Sequence, residues 1–309
     1  MKNIKQNHDA RPARFGKPRL LILGCGDVGL RLLPLLKPHF RVFAVTSQPA
    51  RCAELRAAGA VPLVADLDQP ATLARLARLA KIVVHLAPPQ SAGEKDRRTR
   101  NLAAILPERT TLVYISTTGV YGDCGGALID ETRLLSPHNA RAKRRVDAEQ
   151  VLRHWARRRT GNLAILRVPG IYAPERLPLE RLQKATPALV ATDDVYTNHI
   201  HADDLARIVV AAIFRASPLR IYHASDDSQL KMADYFDLVA KAFVLPPPPR
   251  LPRAELAQRV SPMLLSFMSE SRRLQNLRIK SELGVRLRYP DVQTALPVMA
   301  AASLVVSQE

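Results

Sequence analysis

Arg19-Leu-Leu-Ile-Leu-Gly-Cys-Gly-Asp-Val-Gly-Leu30 is the stretch that decides the fold. Four apolar residues, Leu20 to Leu23, run straight into Gly24, Gly26 and Gly29, and Leu30, Leu32, Leu33, Leu35 and Leu36 follow. That order reads as buried strand, tight turn and helix. Gly24 allows the sharp reversal, Gly26 removes the Cβ that would hold the backbone away from a pyrophosphate, and Gly29 lets the helix lie close to the strand. Amides at the helix N-terminus then face the phosphates. Gly24, Cys25, Gly26, Asp27, Val28 and Gly29 are therefore the expected dinucleotide-binding turn. Pro34 is expected to kink the helix after its second turn.

Beyond the turn, strand-like runs alternate with helical ones. Phe40–Thr46, Val61–Asp66, Lys81–Ala87, Thr111–Ser116 and Leu163–Val168 supply strands two to six. Ala50–Ala58 is helical and capped by Gly59, and Leu73–Leu79 is helical in turn. The alternation predicts an α/β fold of Rossmann type, a doubly wound parallel sheet. In such a sheet the end of strand two meets the adenosine ribose, and an acid there selects the 2′-hydroxyl. Here Thr46, Ser47 and Gln48 stand in that place, with Arg51 just beyond. Nothing repels a 2′-phosphate, so NADP is preferred over NAD. Asp66 and Leu67 can meet the adenine, or Asp66 can cap the following helix. Ala87, Pro88 and Ser116, at later strand ends, complete the expected cofactor site.

The 309-residue chain carries a formal charge of +18. Residues 1–19 hold six Lys or Arg against one acid and contain Pro12 and Pro18, which predicts a flexible basic tail. Arg141 to Arg159 holds eight basic residues against Asp147 and Glu149. Without aromatic interleaving or a nucleic-acid module, this is taken as an arginine-rich surface suited to a phosphorylated ligand, not as a nucleic-acid site. No apolar run reaches the ~20 residues of a membrane span, and no signal peptide is visible, so a cytoplasmic protein is expected. Cys25, Cys52 and Cys124 are too scattered for a disulfide framework or a zinc site.

Ser116-Thr-Thr-Gly-Val-Tyr-Gly-Asp123 resembles the Ser-Ser-x-x-Val-Tyr-Gly segment of the extended short-chain dehydrogenases/reductases, the NAD-dependent epimerase/dehydratase family. Leu166–Pro174, Asn198–Leu205, Tyr222–Asp227 and Glu282–Pro290 match in the same order, so the resemblance spans about Leu20 to Leu296. It implies a nicotinamide cofactor held between a Rossmann domain (20–170 and 195–224) and a smaller substrate lobe (171–194 and 225–309). His199, His201, Asp203 and Asp204 could be metal ligands by residue type. The resemblance makes them instead a strand-to-helix junction whose acid and imidazole hold the two lobes, and no metal is expected.

The family's chemistry uses a Ser or Thr with a Tyr and a Lys one helical turn apart, where the ammonium lowers the phenol's pKa. Thr117 matches the hydroxyl position. Counting back from Ala148-Glu149, the Tyr position falls on Arg141 and the Lys position on Arg145, and arginine cannot act as a general acid or base. Tyr121, His138 or Tyr172 would then have to supply the proton. Arg141 and Arg145 can clamp a phosphate or carboxylate, as can Arg272, whose stretch resembles the family's Ser-Asn-Lys-Arg segment. The expected function is an NAD(P)-dependent oxidoreductase or epimerase-like protein, an atypical member that moves hydride on a small or nucleotide-linked substrate. The alternative is a noncatalytic NADP-binding sensor with a macromolecular partner. A monomer or a homodimer is compatible with the sequence.

Overall fold

A computed structural model describes residues 16–306, and the strand foreseen at Leu20–Leu23 lies inside its sheet, with a neighbour on either side. The sheet has seven strands: β1 (Arg19–Leu23), β2 (Arg41–Thr46), β3 (Val61–Val64), β4 (Ile82–His85), β5 (Thr111–Thr117), β6 (Asn162–Val168) and β7 (Arg220–His223). All pair in parallel, in the order β7-β6-β5-β4-β1-β2-β3. The chain runs outward from β1 to β3 and then returns to the other side of β1 at β4. A crevice therefore opens beyond the carboxyl ends of β1 and β4, the place where such sheets take ligands.

Continuous apolar strands need cover on both faces. It comes from α1 (Asp27–Leu36), α2 (Cys52–Ala57), α3 (Arg97–Ile105), α4 (Ala140–Arg158) and α5 (Ala202–Arg215). Leu32, Leu33 and Leu36 of α1 share one buried cluster with Leu205, Ile208 and Val209 of α5. Leu102 of α3 and Ala148, Leu152 and Trp155 of α4 belong to the cluster on the other face. Gly59, at φ +92°, ends α2 as expected, with the Ala60 amide donating to Leu55 O. Pro34 lies two residues before the end of α1, where only the last turn remains to be disturbed. A third cluster joins Tyr235, Phe236 and Val239 of α6 (Met232–Ala242) to Val292 and Leu296 of α7 (Val292–Val306).

Several expectations need correction. The edge strand β7 was not foreseen; it begins two residues before the Tyr222–Asp227 match and overlaps its first two residues. The Leu73–Leu79 helix is a 3-10 stretch over Pro70–Leu76, tightened by the Thr72 hydroxyl, which donates to Gln69 O at 2.8 Å. Gln69, not Asp66, stands at its N-cap. Ile279, Leu283 and Val285, expected with the substrate lobe, are buried in the cluster of α1 and α5, because helix Leu277–Ser281 covers β7. Residues 1–15 of the expected tail lie outside the described residues. Lys17 donates to Lys37 O, Pro18 O accepts from the Arg41 amide, and Arg19 already belongs to β1.

Candidate functional site

The glycine turn sits where β1 and β4 part. Gly24 has φ +79°, and a Cβ there would lie 2.6 Å from Ala87 Cα, so only glycine fits between the two strand ends. A Cβ on Gly29 would lie 2.8 Å from Cys25 Sγ, so the helix packs directly on the turn. Gly26 differs: a Cβ there would meet nothing within 4 Å, and its φ of −84° suits any residue. Nothing among the described residues requires its bareness, whereas a pyrophosphate lying on the turn would.

A groove of about 330 Å³ follows this turn, lined by Gly24, Cys25, Gly26, Thr46, Ser47, Arg51, Asp66, Leu67, Ala87 and Pro88, together with Gln48 and Arg98. Arg51 Nη1 donates to Cys25 O at 2.8 Å while its other edge pairs with Glu54, which ties the end of β2 to the turn. Asp66 folds back to accept from the Asp68 amide at 2.9 Å. Burial pushes the Cys25 thiol up to about 11 and leaves it an unreactive packing group. Asp27, Val28, Gly29 and Ser116 do not line the groove. Asp27 is held by Arg31 at 2.8 Å, and the Ser116 hydroxyl is spent on Glu149 at 2.6 Å.

Pro88 and Arg98 also border a second cavity of about 640 Å³, so groove and cavity form one cleft. Thr117, Arg141, Arg145 and Arg272 line it. One turn of α4 places Arg141 and Arg145 on the same face. Arg145 Nη1 donates to the Tyr114 hydroxyl at 3.0 Å and to Ile115 O at 2.9 Å, fixing its fork. Burial raises that tyrosine to about 12, so it stays a neutral partner. Arg272 donates to Gly122 O at 2.7 Å and to Glu270 at 2.9 Å. Thr117 Oγ1 accepts from the Gly119 amide and caps the turn Thr118–Tyr121.

Sequence reasoning missed Arg98, Arg144, Asn139, Tyr196, Asn198 and Glu270, which also line the cavity. Arg144 was hidden in a basic run that looked solvated, yet it is buried and donates to Gly93 O. Tyr196 stands two residues before the matched segment at Asn198, the one local signal that could have found it.

The three tyrosine and histidine candidates for proton transfer do not line the cavity. Tyr121 is buried, and its hydroxyl lies 2.5 Å from His223 Nε2 and accepts from Arg167 Nη1 at 2.7 Å. His223 Nδ1 faces Gln275 O at 2.8 Å, so Nδ1 donates, Nε2 accepts, and the Tyr121 proton goes to His223. Burial pushes this phenol up to about 12. Tyr172 is packed edge-on against His199 and His201. His138 is exposed on its loop, beside Gly122, whose Cβ would lie 2.5 Å from the imidazole. His201 and Asp204 stand where strand His199–His201 passes into α5: His201 Nδ1 accepts from the Asp203 amide, and buried Asp204 accepts from the amides of Arg288 and Tyr289. No group of three or more His, Cys, Asp or Glu suited to a metal ion occurs among the described residues.

A parallel sheet with a glycine turn at its switch point, opening into a polar cavity, is the architecture of a Rossmann-type dinucleotide-binding protein. Residues 24–216 match the model of the NAD(P)H-binding family, and the chain belongs to that family. A functionally unknown conserved protein from Silicibacter pomeroyi DSS is 30% identical, with 93% of this chain and 99% of that one covered and a TM-score of 0.78. UDP-glucose 4-epimerase from Thermotoga maritima, solved with UDP-glucose, shares the fold at 15% identity, TM-score 0.76, with 94% of this chain and 99% of that one covered. So does dTDP-glucose 4,6-dehydratase from Bacillus anthracis in complex with NAD, at 11% identity and TM-score 0.74, with 94% and 98% covered. A search of curated proteins finds no match. Among the described residues no helix is long and apolar enough to cross a membrane.

Proposed function

We propose that this is an NAD(P)-dependent oxidoreductase or epimerase-like enzyme that moves hydride on a small or nucleotide-linked anionic substrate, with NADP preferred over NAD. The observation that carries the reading is the single cleft, in which a glycine-turn groove opens into a cavity lined by Arg98, Arg141, Arg144, Arg145 and Arg272 against one acid, Glu270. A guanidinium holds phosphate or carboxylate by its fork and keeps its charge at any ordinary pH. The dinucleotide, when bound, supplies the hydride. Gly26 and its neighbours would hold the pyrophosphate, and Ser47 with Arg51 the ribose end. Arg141 and Arg145 would orient the anionic group of the substrate and screen charge developing on its oxygen. UDP-glucose in the Thermotoga epimerase is likewise a diphosphate, which supports an anionic ligand here.

A second reading, a noncatalytic NADP-binding sensor, is favoured by arginine at both proton-transfer positions. Fluorescence titration with NADPH and NADH tests the shared premise. NADPH should bind at micromolar levels and more tightly than NADH, and Gly26→Trp should weaken both by at least about 100-fold, because the indole fills the pyrophosphate's place. Equal weak binding of wild type and variant would remove the cofactor reading. Tight binding with no carbonyl reduced would leave the sensor.

A further inference from the structure

We infer that Tyr196, which lines the cavity together with the two arginines of α4, is the proton-exchanging residue of the cleft. The inference rests on the cleft being a hydride-transfer site. Arg141 and Arg145 cannot exchange a proton, and the cavity is lined by no histidine, lysine, cysteine or aspartate. Serine and threonine hydroxyls are too weakly acidic for the task. That leaves Tyr196 and Glu270, and Glu270 is engaged by Arg272 at 2.9 Å and by Asn139 at 3.4 Å.

Tyr196 is placed as a working side chain would be. Its strand, Tyr196–Thr197, pairs antiparallel with Leu230–Lys231, and its amide donates to Ser271 Oγ at 3.0 Å. The ring lies against Gly126, where a Cβ would come within 3.1 Å of it, and the Arg273 guanidinium covers it at 4.9 Å from the centroid. Backbone and ring are thus fixed, while among the described residues its hydroxyl makes no hydrogen bond. Tyr114, Tyr121, Tyr172, Tyr222 and Tyr235 are buried, and Tyr289 stacks on His201 outside the cavity, so Tyr196 is the one tyrosine that lines it.

In the reducing direction the dinucleotide, when bound, would supply a hydride with its electron pair to the carbonyl carbon of the substrate. The C=O π pair moves to oxygen, and that oxygen takes the proton of Tyr196 Oη. Water then reprotonates the phenolate, in a cavity whose lining also carries the positive charges of Arg272 and Arg141. Carbonyl is reduced to alcohol and the dinucleotide is oxidised.

A phenol in that role must sense the charge on the nicotinamide ring. Full-length protein with ring-labelled tyrosine, titrated with alkali under carbon NMR, reads this directly, the Tyr196 signal being the one absent from Tyr196→Phe. Its midpoint should lie roughly one pH unit lower with NADP+ bound than with NADPH bound, because the two complexes differ only in the ring's positive charge and the hydride. Identical midpoints in two saturated complexes would overturn the inference and leave cofactor binding standing. Absence of binding, seen independently by NADPH fluorescence, would take down both. With dihydroxyacetone phosphate and 2-oxoglutarate as probes, any reduction by the wild type should fall about 100-fold in kcat in Tyr196→Phe. An unchanged kcat would equally overturn it.

Discussion

Tyr121 shows how a residue that resembles a catalyst can be a strut. It sits in a matched motif, four residues after a threonine, and that much is legible locally. Its partners are not: Arg167 lies 46 residues on and His223 lies 102 residues on, and only the β5–β6–β7 pairing brings them together. Removing the hydroxyl in Tyr121→Phe leaves a buried imidazole nitrogen and a buried guanidinium N–H without a partner. The expected loss is about 1–3 kcal/mol in urea denaturation, with NADPH affinity unchanged. A variant as stable as the wild type but unable to bind cofactor would return Tyr121 to the site.

At the scale of elements, helix α4 shows where the sequence was informative and where it was not. The Ala148-Glu149 signal places the helix and registers Arg141 and Arg145 on one turn. What the basic run conceals is that this helix also buries polar groups: Arg144 and Glu149 are covered along with Ala148, Leu152 and Trp155. Glu149 accepts Arg167 through both oxygens, at 3.1 and 2.7 Å, and the Ser116 hydroxyl at 2.6 Å, which joins α4 to the middle of the sheet. Both members of the pair are 2% exposed, so Glu149→Ala strands a guanidinium in the interior. The expected cost is about 3–5 kcal/mol by thermal or urea unfolding. A loss below about 1 kcal/mol would mean that water reaches Arg167 in place of the carboxylate. Combined with Tyr121→Phe the losses should fall short of their sum, because the two residues share Arg167.

For the whole molecule, buried titratable groups set a pH dependence that composition cannot reveal. The apolar runs made the sheet legible, but which histidines it would enclose depends on packing between distant segments. Burial holds His85 and His199 down to about 3 and His223 to about 4, below the ordinary 6.5. The unfolded chain binds protons that the native one refuses, so these groups remove stability as pH falls below 6.5 toward those values. Asp226 has the opposite sign. Burial raises its carboxyl from 3.8 to about 8, although its Oδ1 accepts from the Ser228 amide at 2.9 Å. Here the native state keeps a proton that the unfolded chain releases, and the stability so gained is full below 3.8 and lost as pH rises through 8. Above about pH 5 most surface carboxylates are ionised in both states and contribute little slope. Between there and 6.5 His85, His199 and His223, joined by His201, which burial also lowers, outweigh Asp226, and beyond 6.5 Asp226 acts in the same direction as Glu131 and Asp194, whose carboxyls burial also raises. Stability should therefore peak near pH 6.5 and fall toward pH 8, with Asp226 supplying about 1.4 kcal/mol per pH unit at most. Asp226→Asn, which keeps the oxygen that Ser228 needs and cannot ionise, should flatten the alkaline side while leaving the acid side in place. Urea unfolding of both proteins from about pH 5 to about pH 9 measures the difference, and parallel curves through neutrality would show that Asp226 is ionised in the folded protein.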